Sequence, residues 1–156
     1  MKVKAFVFSL AVLCCSAMIA HAQTKPVFDA ALAKKLGADD YGMRHYVMAF
    51  LKTGPTKITD KAELAKLQNA HLQNIQRLAD EGKLAVAGPF TDGKEIEGIL
   101  IFNVKTVEEA KALTETDPGI KAGVFAMELH PFYCSAALVE VAATHEKIQK
   151  KGITDR

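Results

Sequence analysis

Between residues 45 and 130 the hydrophobic pattern runs in the order strand, helix, strand, strand, helix, strand, and that succession restricts the fold more than any single motif. Residues 45–51 (HYVMAFL), 84–87 (LAVA), 98–104 (GILIFNV) and 125–130 (FAMELH) are apolar runs of strand length. In the last of them Phe125, Met127 and Leu129 share one face. Between the first two runs, Leu64, Leu67, His71, Ile75 and Leu78 recur at steps of three and four and share one helical face. Asp60, with Glu63 three residues on, predicts the start of that helix in a capping-box-like arrangement. Gly82 suits the left-handed residue that ends it, and Gly88-Pro89 predicts the end of the strand that follows. Thr106 and Glu109 form a capping box for a second helix carrying Val107, Ala110 and Leu113. Residues 138–151 read as a C-terminal helix stopped by Gly152.

This order predicts an α+β fold of ferredoxin-like βαββαβ type, with both helices on one face of a four-stranded sheet. The other face of such a sheet is normally polar. Here HYVMAFL and GILIFNV are apolar at both parities, so something has to cover the second face. A partner sheet, forming a dimeric α/β barrel, is the expected cover. The lead-in or the C-terminal helix of the same chain is the competing one.

Part of the 49% hydrophobic content belongs to a leader. Lys2 and Lys4 precede an uncharged apolar run over residues 5–20, and Ala20-His21-Ala22 is an A-x-A cleavage signature. Residues 1–22 are therefore expected to be a secretory signal peptide, and the mature protein periplasmic or secreted. The competing anchor reading meets a run shorter than the ~20 residues that span a bilayer. Lipidation at Cys14 or Cys15 lacks the small residue that should precede the cysteine. Cleavage lowers Lys+Arg from 20 to 18, level with Asp+Glu, so no basic excess remains to hold nucleic acid or an anionic membrane. Cys134 is then a lone thiol in apolar surroundings. Residues 23–40 form a lead-in, 41–133 the domain, and 134–156 a C-terminal helical extension.

AHLQNI, DEGKLAVAGPF and TDPGIKAGVFAMELHPF, in that order, resemble the YciI-like (YCII-related) domain over residues 41–132. That resemblance implies a ferredoxin-like fold, dimerisation as an α/β barrel, and a His-Asp pair at His71 and Asp117. Two positions depart from the family pattern. Gln68 stands where an arginine is common, which weakens the case for an anionic substrate. Gly119 replaces an aromatic residue after Asp117-Pro118, which implies a wider or differently lined pocket.

Residue spacing bears on the pair independently. His71 lies eleven positions after Asp60, and Asp117 eleven after Thr106. With the two helices side by side in the same direction, both groups fall roughly 16 Å from their helix starts, at similar depth. A carboxylate there would orient the imidazole and favour its charged form, and the imidazole would serve as general base or acid. The structural alternatives are a hydrogen-bonded core histidine and an Asp-Pro helix cap. Gly88 and Pro89 are candidates for the pocket border, or simply the strand's end.

His45, His130 and His145 have no zinc-like spacing, and no phosphate loop, dinucleotide fingerprint or Gly-x-Ser-x-Gly occurs. No metal and no cofactor is therefore expected. Two functions remain open: a small cofactor-free enzyme of lyase, isomerase or dehydrohalogenase type, and a non-catalytic dimeric module that binds a small molecule or serves the cell envelope structurally.

Overall fold

The computed structural model describes residues 27–155, and the expected leader lies outside them. A short helix α1 (Ala30–Leu36), capped by Asp29, precedes strand β1 (Met43–Thr53). Helix α2 (Lys61–Asp80) leads to the hairpin β2 (Leu84–Pro89) and β3 (Ile96–Phe102). Helix α3 (Val107–Thr114), the one-turn α4 (Pro118–Lys121) and β4 (Phe125–Ser135) follow. A 3-10 turn, Ala136–Val139, then runs into α5 (Glu140–Ile148).

The strands form one sheet in the order β2-β3-β1-β4, every neighbouring pair antiparallel. This is the expected mixed α/β arrangement, with the local signals at their expected places. Asp60 accepts hydrogen bonds from the backbone N–H groups of Ala62 and Glu63, and Thr106 and Glu109 form the reciprocal capping box. Gly82 takes the left-handed conformation after α2, at φ 67°.

Several bounds differ from expectation. β1 and β4 extend well beyond their apolar centres because they pair with each other along their whole length, from Met43 opposite Ser135 to Thr53 opposite Phe125. β3 starts at Ile96 rather than residue 98. Gly88 and Pro89 do not follow β2 but are its last two pairs, opposite Ile99 and Gly98. β2 is an edge strand, where a residue without an N–H is tolerated. The C-terminal helix ends at Ile148, before Gly152.

The two long crossovers correct one expectation. β1 and β3 are antiparallel, and each is followed by a helix that returns along it. Helices α2 and α3 therefore run in opposite directions, and equal distance from two caps does not mean equal depth.

The main core lies between the helices and one sheet face. Val47, Ala49 and Leu51 of β1, Leu100 and Phe102 of β3, and Phe125 of β4 meet Leu78 of α2 and Ala110 of α3. Four residues of the α2 stripe, Leu64, Leu67, Ile75 and Leu78, all join this core. The second face carries a smaller cluster of Tyr46, Ala85 and Ile101, packed by Leu138 and Val139 of the C-terminal segment. The chain thus covers part of its own second face, and α5 lies against the edge strand β2. Cys134 is half-buried in this cluster as a free thiol.

Candidate functional site

The fifth member of the α2 stripe is His71, and its neighbours in the stripe carry it under the helix into the core. Its ring lies 4.9 Å from that of Phe125, centroid to centroid. Asp117 arrives from the other side of the core. It is the N-cap of α4, with Pro118 at the first helical position, where its missing N–H is no loss. One carboxylate oxygen, Oδ1, accepts from the backbone N–H of Gly119 at 2.8 Å and of Ile120 at 3.3 Å. The other, Oδ2, faces α2.

There Nδ1–H of His71 donates to Oδ2 at 2.7 Å, and the amide of Asn74 donates to the same oxygen at 3.3 Å. The two side chains are 8% and 1% exposed, so the pair is shielded from bulk water. The cap and the ion-pair partner are thus the same carboxylate. α2 and α4 touch here, and α3 supplies none of the hydrogen-bonding partners. The contact comes from the turn after α3, so the depth argument from two parallel helices gives a correct pairing for a wrong reason.

Burial alone would push the Asp117 carboxyl up. The hydrogen bond and charge of His71, with the N–H groups of Ile120 and Gly119, outweigh it and hold the group below its ordinary range. Asp117 is therefore an anion in the folded protein at neutral pH. An anion at Oδ2 accepts the hydrogen bond from Nδ1–H, so in the neutral ring the lone pair falls on Nε2.

Nε2 has no hydrogen-bond partner among the described residues. Among the described residues the only fully buried side-chain polar atom left without one is Oδ1 of Asn103, so Nε2 is not fully enclosed. His71 lines a cavity of about 390 Å³ between α2 and the β2–β3 end of the sheet. Apolar residues, among them Leu72, Ile75, Leu100 and Phe125, form much of its wall. Gly88 and Pro89 do border it, with Gln68 on α2 opposite.

Gly119 has a physical role. A Cβ there would come within 2.6 Å of the Phe125 ring, so only glycine lets that ring lie over α4 and against His71. An aromatic ring does stand at the site, but it comes from β4. Residue patterns gave no sign of three further contributors. Asn74, one turn beyond His71, braces Asp117 and accepts from Thr116 Oγ1 at 3.0 Å and Arg77 at 2.8 Å. Glu97 lines the cavity from β3 and accepts from Thr53 Oγ1. Ile153 reaches it from the C-terminal tail. The i, i+3 spacing of His71 and Asn74 was the one available signal.

Among the described residues no group of three His, Cys, Asp or Glu side chains is placed to hold a metal ion. His45 lies against Tyr133, whose hydroxyl donates to Asp39, and His130 pairs with Glu128 at 2.8 Å on the exposed second face.

No curated protein matches the chain closely enough to count as a relative. Among solved structures, the chain is similar to the 5-chloro-2-hydroxyhydroquinone dehydrochlorinase TftG of Burkholderia phenoliruptrix AC1100, in complex with 2,5-dihydroxybenzoquinone. The identity is 27% over 56% of this chain and 92% of that one, with a TM-score of 0.40. Residues 45–132 match the YCII-related domain, from the first residue of HYVMAFL to Phe132 near the end of β4. That match takes in more than half of the chain, His71, Asp117 and the cavity wall from β2 and β3 included, and the chain belongs to the YCII-related domain family.

Proposed function

We propose that the protein is a small cofactor-free enzyme of lyase, isomerase or dehydrohalogenase type, with His71 as general base and Asp117 as the residue that orients it. One observation carries this reading: Nδ1 of His71 is tied to a buried carboxylate while the same ring lines the cavity with Nε2 unpaired. A histidine needed only for packing has no reason to keep one nitrogen unpaired at a cavity wall. Substrate would sit among Leu72, Ile75, Gly88 and Pro89, with the proton to be removed facing Nε2. The electron pair of the broken C–H bond would form a double bond as the leaving group departs, or shift to a neighbouring carbon. Asp117 would stabilise the imidazolium, which would return its proton to that carbon, to an oxygen leaving group, or to water where a halide departs as the anion.

The test is the His71→Ala variant, with ligand binding and turnover followed beside the melting temperature. Binding or turnover should be abolished while the fold stays intact. A variant that still binds and turns over as the unaltered protein does would return His71 to the role of a core histidine. The second reading, a non-catalytic module, is favoured by the double use of Asp117 as cap and partner. It predicts that His71→Ala lowers the melting temperature and leaves ligand binding unchanged.

Two further proposals concern its setting. The protein is exported and processed after Ala22, and mass spectrometry from the native host should find Gln23 as the first residue. It is also a homodimer through the part of the second sheet face that the C-terminal segment leaves open, around Met48, Phe50 and Ile99. Light scattering should give twice the mature mass, and a monomer at micromolar concentration would overturn that assembly.

A further inference from the structure

The charge of the cavity wall bears on what it accepts. Its lining contains one histidine and one carboxylate, Glu97, and no lysine or arginine. Lys52, opposite Ile96 at the start of β3, is held by Glu128 at 2.5 Å, with Glu95 at 4.0 Å. Behind His71 stands the Asp117 anion. A bound carboxylate or phosphate would therefore meet two negative groups and no fixed cation in a largely apolar space, where charge repulsion is weakly screened. One Glu97 oxygen is fixed by the Thr53 hydroxyl at 2.5 Å, which leaves the carboxylate positioned and still short of donors. Only the site's own imidazole offers it a positive charge, and only when protonated.

We infer that this cavity selects compact molecules with an apolar body and a hydrogen-bond donor or positive charge, held by Glu97, and rejects carboxylates and phosphates. The inference builds on the reading of this cavity as the working site. The volume of about 390 Å³ suits a single ring or a short branched chain. The apolar body packs on Leu72, Ile75 and Phe125, and the donor turns toward β3. Gln68, exposed and neutral at the cavity wall, adds a weak polar contact that does not oppose this choice.

Three probes of one shape isolate the head group: benzylamine, benzyl alcohol and benzoate, titrated at neutral pH and followed by backbone NMR shifts of cavity residues. Benzylamine, as its ammonium form, should bind tightest, benzyl alcohol next, and benzoate at least about tenfold more weakly than benzylamine. Glu97→Gln keeps an oxygen for the Thr53 hydroxyl and should erase most of the difference between benzylamine and benzoate. Gln68→Arg adds a cation to the wall from an exposed position and should raise benzoate binding above that of benzylamine. That second variant carries the test if Glu97→Gln fails to fold. Benzoate binding as tightly as benzylamine in the unaltered protein, an unchanged order in both variants, or no cavity shifts with any probe at millimolar concentration would each overturn the inference. A His71→Ala protein with undiminished turnover beside the predicted head-group order would defeat the catalytic reading alone. Turnover lost in His71→Ala without that order would defeat only this one.

Discussion

Among the described residues, two histidine–carboxylate pairs of nearly equal length lie on opposite faces of the sheet. His71 and Asp117 meet at 2.7 Å on the helix face, and His130 and Glu128 at 2.8 Å on the second face. Distance does not separate them. The first pair is 8% and 1% exposed, and its carboxylate has two backbone donors and one amide besides the imidazole. The second is 48% exposed on both sides, and Glu128 divides itself between His130 and Lys52. Water competes for every group of the second pair, so its geometry stores little energy. The first pair is fixed and desolvated, the arrangement on which the proposed role of His71 as a base rests.

Removing Asp117 should do the most damage. Asp117→Ala deletes the cap of α4 and leaves His71 without a partner in the core, and loss of one member of a buried pair is worth about 3–5 kcal/mol. Chemical denaturation should show a drop of that order. Glu128→Ala should show none that can be measured in the monomer, at protein concentrations below those of the proposed dimer, whose face Glu128 shares with Phe50. Equal losses from the two changes would mean that burial does not distinguish the pairs.

His71→Ala should have a smaller effect on stability, since Asp117 keeps the donors from Gly119, Ile120 and Asn74. About 1–3 kcal/mol is expected. Its effect on turnover should be far larger, on the order of 10²–10⁴-fold, the range of general-base contributions. His130→Ala, by contrast, should leave the stability of the monomer as it is, since the ring is about half exposed in the single chain. A His71→Ala protein that still turns over a substrate accepted by the unaltered enzyme would remove the base from the mechanism.

Acid should separate the pairs as well. The folded pKa of Asp117 lies below its ordinary value of 3.8. The group thus adds stability above the unfolded pKa, and that contribution is lost as pH falls through the folded one. Glu128 is also held low, first by Lys52 and then by His130, but in full contact with solvent. Raising the salt concentration should weaken the shift at Glu128, since its hydrogen bonds to Lys52 and His130 lie at the surface, where water competes and charges are screened over a few ångströms at molar salt. The shift at Asp117 should persist, because it rests on hydrogen bonds inside the core. Carboxyl titration by NMR at low and high salt reads both at once.

Residue patterns made much of this arrangement legible, for reasons that also set their limit. His71 stands out because it breaks an aliphatic stripe whose period fixes the buried face of α2. Asp117 stands out because Asp-Pro is a helix start, and a helix start needs an acceptor. What joins them is not local. It depends on the turn after α3, on the opposed directions of α2 and α3, and on Gly119 making room for Phe125. The same holds for Glu97 and Ile153, which reach the cavity from β3 and from the chain's tail without any periodicity to mark them. The apolar second face was legible as a face needing cover. That Leu138 and Val139 supply part of it is a matter of where the segment after β4 turns.

The smallest expected effect tests the brace behind the buried pair. Asn74 donates to Asp117 at 3.3 Å, a long bond beside the 2.7 Å bond from His71, and its oxygen accepts from Thr116 and Arg77. Asn74→Ala removes these links but leaves the imidazole and both backbone donors on the carboxylate. Each of these bonds has a net worth of about 0.5–1.5 kcal/mol, and the two on the Asn74 oxygen come from exposed groups, so the loss of stability should stay near the value of the one to Asp117. The Asp117 carboxyl should then titrate slightly higher, because its anion has one donor fewer. Carboxyl titration by NMR reads the change, which should be smaller than the one Asp117 shows in His71→Ala. If Asn74→Ala left Asp117 unmoved, the buried pair would be insulated from its surroundings by packing alone, and the brace would hold α4 in place without tuning the carboxylate.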